Sequence, residues 1–177
     1  RNLKRLGHED IIGYDPRDDR RAEAEENYGI EITGDLERAL AAETDAWIIS
    51  TPPDTHATYG LRAADRGIAF FAEAGVADPN VETLIGRISE TGVVAAASCT
   101  MRYYDGPRKI KELAKSGAVG KPLSFVYHSG QYLPDWHPWE SYKDFYVSNP
   151  KTGACREIVP FELSWLSDIF GDVTSLA

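Results

Sequence analysis

Apolar residues in this chain come in short runs separated by longer amphipathic stretches, with Gly, Pro and Asp at the junctions. The opening RNLKRLG sets Leu3 and Leu6 on one face, crowds basic residues at its end and closes with Gly7, the pattern of the last turns of a helix. Asp10 to Tyr14 (DIIGY) predicts a short strand ending at Asp15, and Pro16 to Tyr28 a helix stopped by Gly29. Gly34-Asp35 introduces a second helix with Leu36, Ala39 and Leu40 on one face. The wholly apolar AWII of Ala46 to Ile49 reads as a buried strand broken by Pro52-Pro53, followed by a helix from Thr55 to Arg66. Ile68 to Ala72 is the next strand. Pro79 then leads a helix carrying Val81, Leu84, Ile85 and Ile88 to Gly92, and Val93 to Ala97 is a further strand. Strands alternating with helices in this way predict an α/β fold with a parallel, doubly wound sheet.

Beyond Ser98 the texture changes, which places a domain boundary between residues 1–98 and 99–177. Pro107 opens a helix with Ile110, Leu113 and Ala114 that Gly117 closes, and Leu123 to His128 predicts a strand. Gln131 to Pro150 is aromatic, polar and Pro-rich, the composition of a long functional loop. A helix from about Glu157 to Ile169 and a strand beginning at Val173 complete the pattern.

Composition narrows the function. With 19 Lys and Arg against 28 Asp and Glu, the net charge is −9, which argues against nucleic acid or an anionic membrane as the main partner. No apolar stretch approaches the ~20 residues of a membrane-spanning helix. Cys99 and Cys155, the two cysteines, show no CxxC spacing; they give neither a disulfide framework nor a zinc site and fit a reducing, cytoplasmic setting.

Several residues stand where an open parallel sheet binds ligands, at the carboxyl ends of its strands. Asp15 closes the first strand, where an acidic residue accepts hydrogen bonds from the ribose hydroxyls of a dinucleotide and repels a 2′-phosphate. Arg17, Arg20 and Arg21 nearby keep that phosphate in play. Ser50, Thr51, Pro52 and His56 follow AWII and precede a helix; an ordinary capped turn would look the same. Glu73 closes the strand IAFFA on the same side of the sheet.

In order, the strand ending at Asp15, STPPDTH at Ser50 to His56, AFFAEAGVAD at Ala69 to Asp78 and MRYYDGPRKIKELAKSGAVGKPLSF at Met101 to Phe125 resemble the Gfo/Idh/MocA family of oxidoreductases. The resemblance spans essentially the whole chain. It implies a Rossmann-type dinucleotide-binding domain over 1–98 and the start of an α/β substrate and oligomerisation domain with an open sheet over 99–177. It further implies NAD as cofactor, with NADP open, and a sugar, cyclitol or sugar nucleotide as substrate. Arg102 and Tyr103 open the family's arginine-aromatic segment, with Arg102 assigned to the cofactor side. By this resemblance Arg1 to Gly7 ends the first Rossmann helix. The first strand and its glycine-rich loop would then precede Arg1, most of the second sheet would follow Ala177, and the complete protein would be a homo-oligomer.

The departures from the family matter equally. Where its members carry Glu-Lys-Pro this chain has Glu73-Ala74-Gly75, and in the later motif Ile158 and Phe161 occupy the family's Asp and His positions. Both usual proton carriers are therefore missing. Candidate replacements are Glu157, Glu162, His128 and His137; Glu157 and Glu162 lie five apart around Pro160, on different helical faces unless the proline kinks the segment. The stretch QYLPDWHPWESY suits stacking on a sugar ring or packing on itself. Hydride transfer on a sugar-type hydroxyl or carbonyl is the reaction implied; the alternative is a dinucleotide-binding regulator or scaffold that kept the fold and lost the chemistry.

Overall fold

A computed structural model describes residues 1–176. The chain divides into two compact units, residues 1–44 and the chain from Asp45 onward. In the first unit, α1 (Asn2–Arg5) precedes β1 (Ile12–Tyr14), α2 (Asp18–Tyr28), β2 (Glu31–Thr33) and α3 (Leu36–Ala41). β1 and β2 pair in parallel, Gly13 opposite Ile32. The Asp35 carboxylate accepts from the backbone N–H groups of Glu37 and Arg38 and so fixes the start of α3. β2 was not anticipated from the sequence: a strand of three residues is too short to display a period of two.

The second unit begins with a parallel three-stranded sheet, β3 (Ala46–Ile49), β4 (Ala69–Ala72) and β5 (Ala95–Ala97), in the order β3-β4-β5. Ile48 faces Phe71 across the first pair and Phe71 faces Ala96 across the second. The crossovers are α4 (His56–Asp65) and α5 (Val81–Thr91), amphipathic helices of period about 3.6 residues whose apolar sides pack on the core. Ile49, Ala63, Ala64 and Phe70 form the buried core, with Trp47, Leu84, Ile88 and Val93 packed around it. α4 turns its smallest residues inward. A Cβ at Gly60 would stand 2.8 Å from a Leu84 methyl and 3.2 Å from the Phe70 ring, so the two helices approach closely only because Gly60 has none.

Asp78, 2% exposed, locks these helices together. Its Oδ2 accepts from the Thr58 N–H in the first turn of α4 and its Oδ1 from the Asn80 N–H at the start of α5, both at 2.8 Å. Burial alone would raise the carboxyl, but the hydrogen bonds from Asn80 and Thr58 outweigh it and hold Asp78 below the usual aspartate range.

A 3-10 turn (Thr100–Tyr103) leads into α6 (Asp105–Ser116), followed by α7 (Leu133–Trp136), a second 3-10 turn (Tyr146–Ser148) and the long α8 (Ala154–Phe170). α8 starts three residues earlier than the sequence pattern indicated and runs through Pro160. Lys111 of α6 is ion-paired to Asp168 of α8, and the Arg102 guanidinium donates to the Ser164 carbonyl. Two expected strands are not formed. Leu123 to His128 is irregular and unpaired, with Leu123 90% and Val126 80% exposed, and the stretch after Val173 is likewise irregular. Alternation gives a segment the character of a strand, but a strand also needs a neighbour to take its backbone hydrogen bonds, and neither segment has one among the described residues.

Asp78→Ala removes acceptors from two buried N–H groups and is expected to destabilise the chain by about 1–3 kcal/mol in denaturant unfolding. Because the native carboxyl is depressed, its contribution is present above the unfolded-state pKa and is lost as pH falls through the native one. The difference between wild type and Asp78→Ala should therefore shrink in acid; an undiminished difference would show that the charge plays no part.

Candidate active site

The carboxyl ends of β3 and β4 carry the residues that the sequence singled out. After Ile49 the chain turns through Ser50-Thr51-Pro52-Pro53, where the Thr55 N–H donates to the Pro52 carbonyl at 2.9 Å and the hydroxyls of Thr51 and Thr55 lie 2.8 Å apart. This turn delivers His56 as the first residue of α4. His56 is 4% exposed, and its Nε2 sits 2.6 Å from the Thr51 carbonyl oxygen. On the next strand Glu73 follows β4 directly, and its backbone N–H donates to the Ile49 carbonyl, extending the pairing of β3 and β4 by one residue. A Cβ at Gly75 would stand 3.3 Å from His56 Nδ1, so the backbone after Glu73 passes close over the imidazole.

Glu157 is brought to this place by the turn before α8. The Thr152 hydroxyl donates to the Tyr146 carbonyl at 2.7 Å, and Gly153 lies so close to the Asn149 and Val147 carbonyl oxygens that a Cβ would meet them at 2.8 and 3.1 Å. Drawn in this way, the turn places the Tyr146 hydroxyl to donate to Glu157 Oε1 at 3.0 Å. Burial pushes the Glu157 carboxyl above the usual glutamate range, and the neighbouring Glu73 charge adds to the effect. The Tyr146 hydroxyl and His56 act in the opposite direction. Burial, followed by the hydrogen bond and charge of Glu157, raises the Tyr146 phenol far above its ordinary value. Glu73, His56, Tyr146 and Glu157 thus form one electrostatic cluster at the carboxyl ends of the parallel strands. A carboxyl whose proton is held more tightly by burial and a second carboxylate is a candidate for taking and returning a proton.

The other expected carriers lie elsewhere. Glu162 accepts from the Trp165 indole N–H at 2.6 Å and faces Tyr127, so it and Glu157 serve different faces of α8. His137 is stacked between Trp139 and Phe145, with centroids 4.8 and 4.5 Å away, and its Nδ1 lies 2.9 Å from Glu140 Oε1. His128 is exposed on the unpaired segment before α7. Tyr146 was not singled out from the sequence: one tyrosine among the aromatics of a long loop gives no local sign that it meets a carboxylate 11 residues on.

Asp15, in the first unit, follows β1. Its Oδ1 accepts from the Arg17 N–H at 2.8 Å, which turns the chain into α2, and its Oδ2 makes no hydrogen bond among the described residues. The three nearby arginines face acids: Arg17 pairs with Asp19, Arg20 with Glu23 and Arg21 with Asp18.

Parallel α/β units with ligand-type residues at the carboxyl ends of their strands define a Rossmann-type fold. More particularly, the fold is that of Gfo/Idh/MocA-type oxidoreductases. An oxidoreductase from Agrobacterium radiobacter, solved in complex with NAD+, L-tartaric acid and magnesium, superposes with a TM-score of 0.75 at 18% identity, covering 92% of this chain and 47% of that one. An uncharacterized oxidoreductase of Streptococcus pneumoniae is 29% identical over 123 residues, 68% of this chain and 33% of the relative. The 2,7-anhydro-N-acetylneuraminate hydratase of Mediterraneibacter gnavus is 28% identical over 101 residues, 55% of this chain and 27% of the relative. The chain spans about a third of the length of the curated relatives it matches. No family model matches it. Among the described residues, no helix is long and apolar enough to cross a membrane.

The raised Glu157 carboxyl has a consequence for stability. A folded-state pKa above the unfolded one contributes stability that is fully present below the unfolded pKa and is lost as pH rises through the folded value. Glu157→Gln removes that loss, so unfolding free energies compared at acidic and mildly alkaline pH should differ less in the variant than in wild type. An equal difference in the two proteins would mean that Glu157 titrates as an exposed glutamate.

Proposed function

We propose that this chain belongs to a nicotinamide-dependent oxidoreductase acting on a hydroxyl or carbonyl of a polyhydroxy substrate, of the sugar, cyclitol or sugar-nucleotide class. The observation that carries the reading is the Glu157 carboxyl, held by Tyr146 beside Glu73 at the carboxyl ends of parallel strands. Support also comes from the relatives: one structural neighbour was solved with NAD+ and one curated relative is named for a sugar derivative.

When bound, the nicotinamide would supply the hydride chemistry at its C4; the protein orients the reacting groups and carries the proton. In this reading residues 1–98 are the cofactor domain and 99–177 the start of the substrate and oligomerisation domain of a cytoplasmic homo-oligomer. Asp15 fits the ribose of NAD, since its Oδ2 is open and each neighbouring arginine already faces a carboxylate. Ser50, Thr51, Pro52, His56 and Glu73 are assigned to the nicotinamide side, and Arg102 to the cofactor side through the segment it opens. Glu157 is the proton carrier that stands in for the lysine and histidine absent at Ala74 and Phe161. Turnover by the complete protein would favour this enzyme reading over the scaffold alternative.

Two measurements on the complete protein test the assignment. NAD should bind more tightly than NADP, and Asp15→Ala should narrow the gap; tighter NADP binding that is lost on mutating Arg17 would overturn the role of Asp15. Among Glu157→Gln, Glu162→Gln, His128→Asn and His137→Asn, the first should lower the hydride-transfer rate by about 10²-fold or more and leave NAD affinity nearly unchanged. The function fails if Glu157→Gln turns over a keto-sugar with NADH at the wild-type rate, or if neither protein reduces any member of a keto-sugar panel.

A further inference from the structure

Of the four tryptophans, Trp165 is buried, Trp47 and Trp136 are half-buried, and Trp139 is exposed, at 67%. A single exposed apolar residue is ordinary. Trp139 differs in being held. His137, Pro138, Trp139 and Glu140 form a turn closed by the Glu140 N–H, which donates to the His137 carbonyl at 3.1 Å, with Pro138 at the position whose φ a proline presets. A second tie joins the ends of the same turn, His137 Nδ1 to Glu140 Oε1 at 2.9 Å. The indole lies over the imidazole with centroids 4.8 Å apart and planes at 20°, and the imidazole over the Phe145 ring at 4.5 Å and 13°. Trp136 meets both His137 and Phe145 edge-on. Phe145 in turn meets Tyr146 edge-on, the tyrosine that donates to Glu157. Among the described residues no ring other than His137 stacks on the Trp139 indole, so one face of it is left to solvent.

We propose that this open indole face is a stacking platform for an uncharged six-membered sugar or cyclitol ring. Such a ring carries axial C–H groups on one face and hydroxyls around its rim. It can lay the apolar face on an electron-rich aromatic plane and keep its polar groups in water. An indole fixed in advance by a turn and by the stack beneath it loses little conformational freedom on binding. Charge selects among the ringed ligands a tryptophan could take. Apart from His137, the charged side chains from Gln131 to Ser148 are Asp135, Glu140, Lys143 and Asp144, three acids against one base, and Lys143 lies over the Tyr142 ring. A phosphate brought to this turn would meet net negative charge, so the platform favours a neutral ring over a nucleotide. His137 is a positioning residue, since it supplies the underside of the stack. The inference deepens the proposed reaction by narrowing its substrate class to the uncharged members, and it rests on that reading only for identifying the bound ring as the substrate.

Binding can be read without turnover. In the complete protein labelled with 15N at tryptophan, the Trp139 indole N–H signal is identified by its loss in Trp139→Phe. Titration with methyl β-D-glucopyranoside, methyl β-D-galactopyranoside or myo-inositol should shift that signal and leave the buried Trp165 signal in place. His137→Ala removes the underside of the stack and should weaken the shift, whereas His137→Phe keeps a ring there and should restore it. In turnover, Trp139→Ala should raise KM by about tenfold and change kcat by less, the loss of one stacking contact. A Trp139 signal that none of these polyols moves overturns the inference. So does an equal shift with 1,6-hexanediol, which marks a merely apolar patch, or a tighter one with UDP-glucose, which marks a nucleotide site. A sugar-induced shift without turnover of any keto-sugar leaves the platform standing and removes the oxidoreductase; turnover with an unchanged KM in Trp139→Ala does the reverse.

Discussion

The carboxylate of Asp78 is the contact on which the second unit depends. One buried side chain accepts from the first turn of α4 and from the start of α5, so neither helix can shift along its axis without uncovering an N–H group. Non-directional burial of Ile49, Ala63, Ala64 and Phe70 brings the layers together, but area alone does not set a register. Asp78 does. Because α4 begins at His56, fixing its first turn also fixes the imidazole at the end of β3.

The second determinant of the site is the turn that closes on α8. Thr152, 1% exposed, and Gly153 hold the Tyr146–Ser148 turn tightly enough that a hydroxyl from a loop meets a carboxyl on a helix. Charge then does the rest: a carboxyl removed from water beside another carboxylate retains its proton more readily than an exposed one. Placement of the raised Glu157 carboxyl therefore follows from two local backbone arrangements, one at each end of the cluster; among the described residues no non-glycine residue has a positive φ.

Much of this was legible in the chain itself. AWII, AFFA and the helices between Thr55 and Gly92 were readable because each is bounded by a glycine or proline whose backbone preference marks its end. The places of Glu73 and His56 were readable, since each directly follows a strand or its turn in the chain. Glu157 was one of four candidates, and the sequence could not rank them: whether a glutamate is buried depends on what packs against it from 11 residues away. For the same reason Tyr146 escaped notice. Leu123 to His128 misled because alternation is a local property and pairing is not, and β2 was passed over because three residues carry too little pattern.

The inner face of α4, with Ala57, Gly60, Ala63 and Ala64 buried, acts as a spacer of minimum thickness. Its effect on how this protein can diverge is asymmetric. Residues on the outer face can change with less consequence for the sheet beneath. Any enlargement on the inner face lifts the helix, and with it the imidazole that the helix carries. Tolerance to substitution along α4 therefore follows a period of about 3.6 residues, and the history of this helix should be written almost wholly on its outer side.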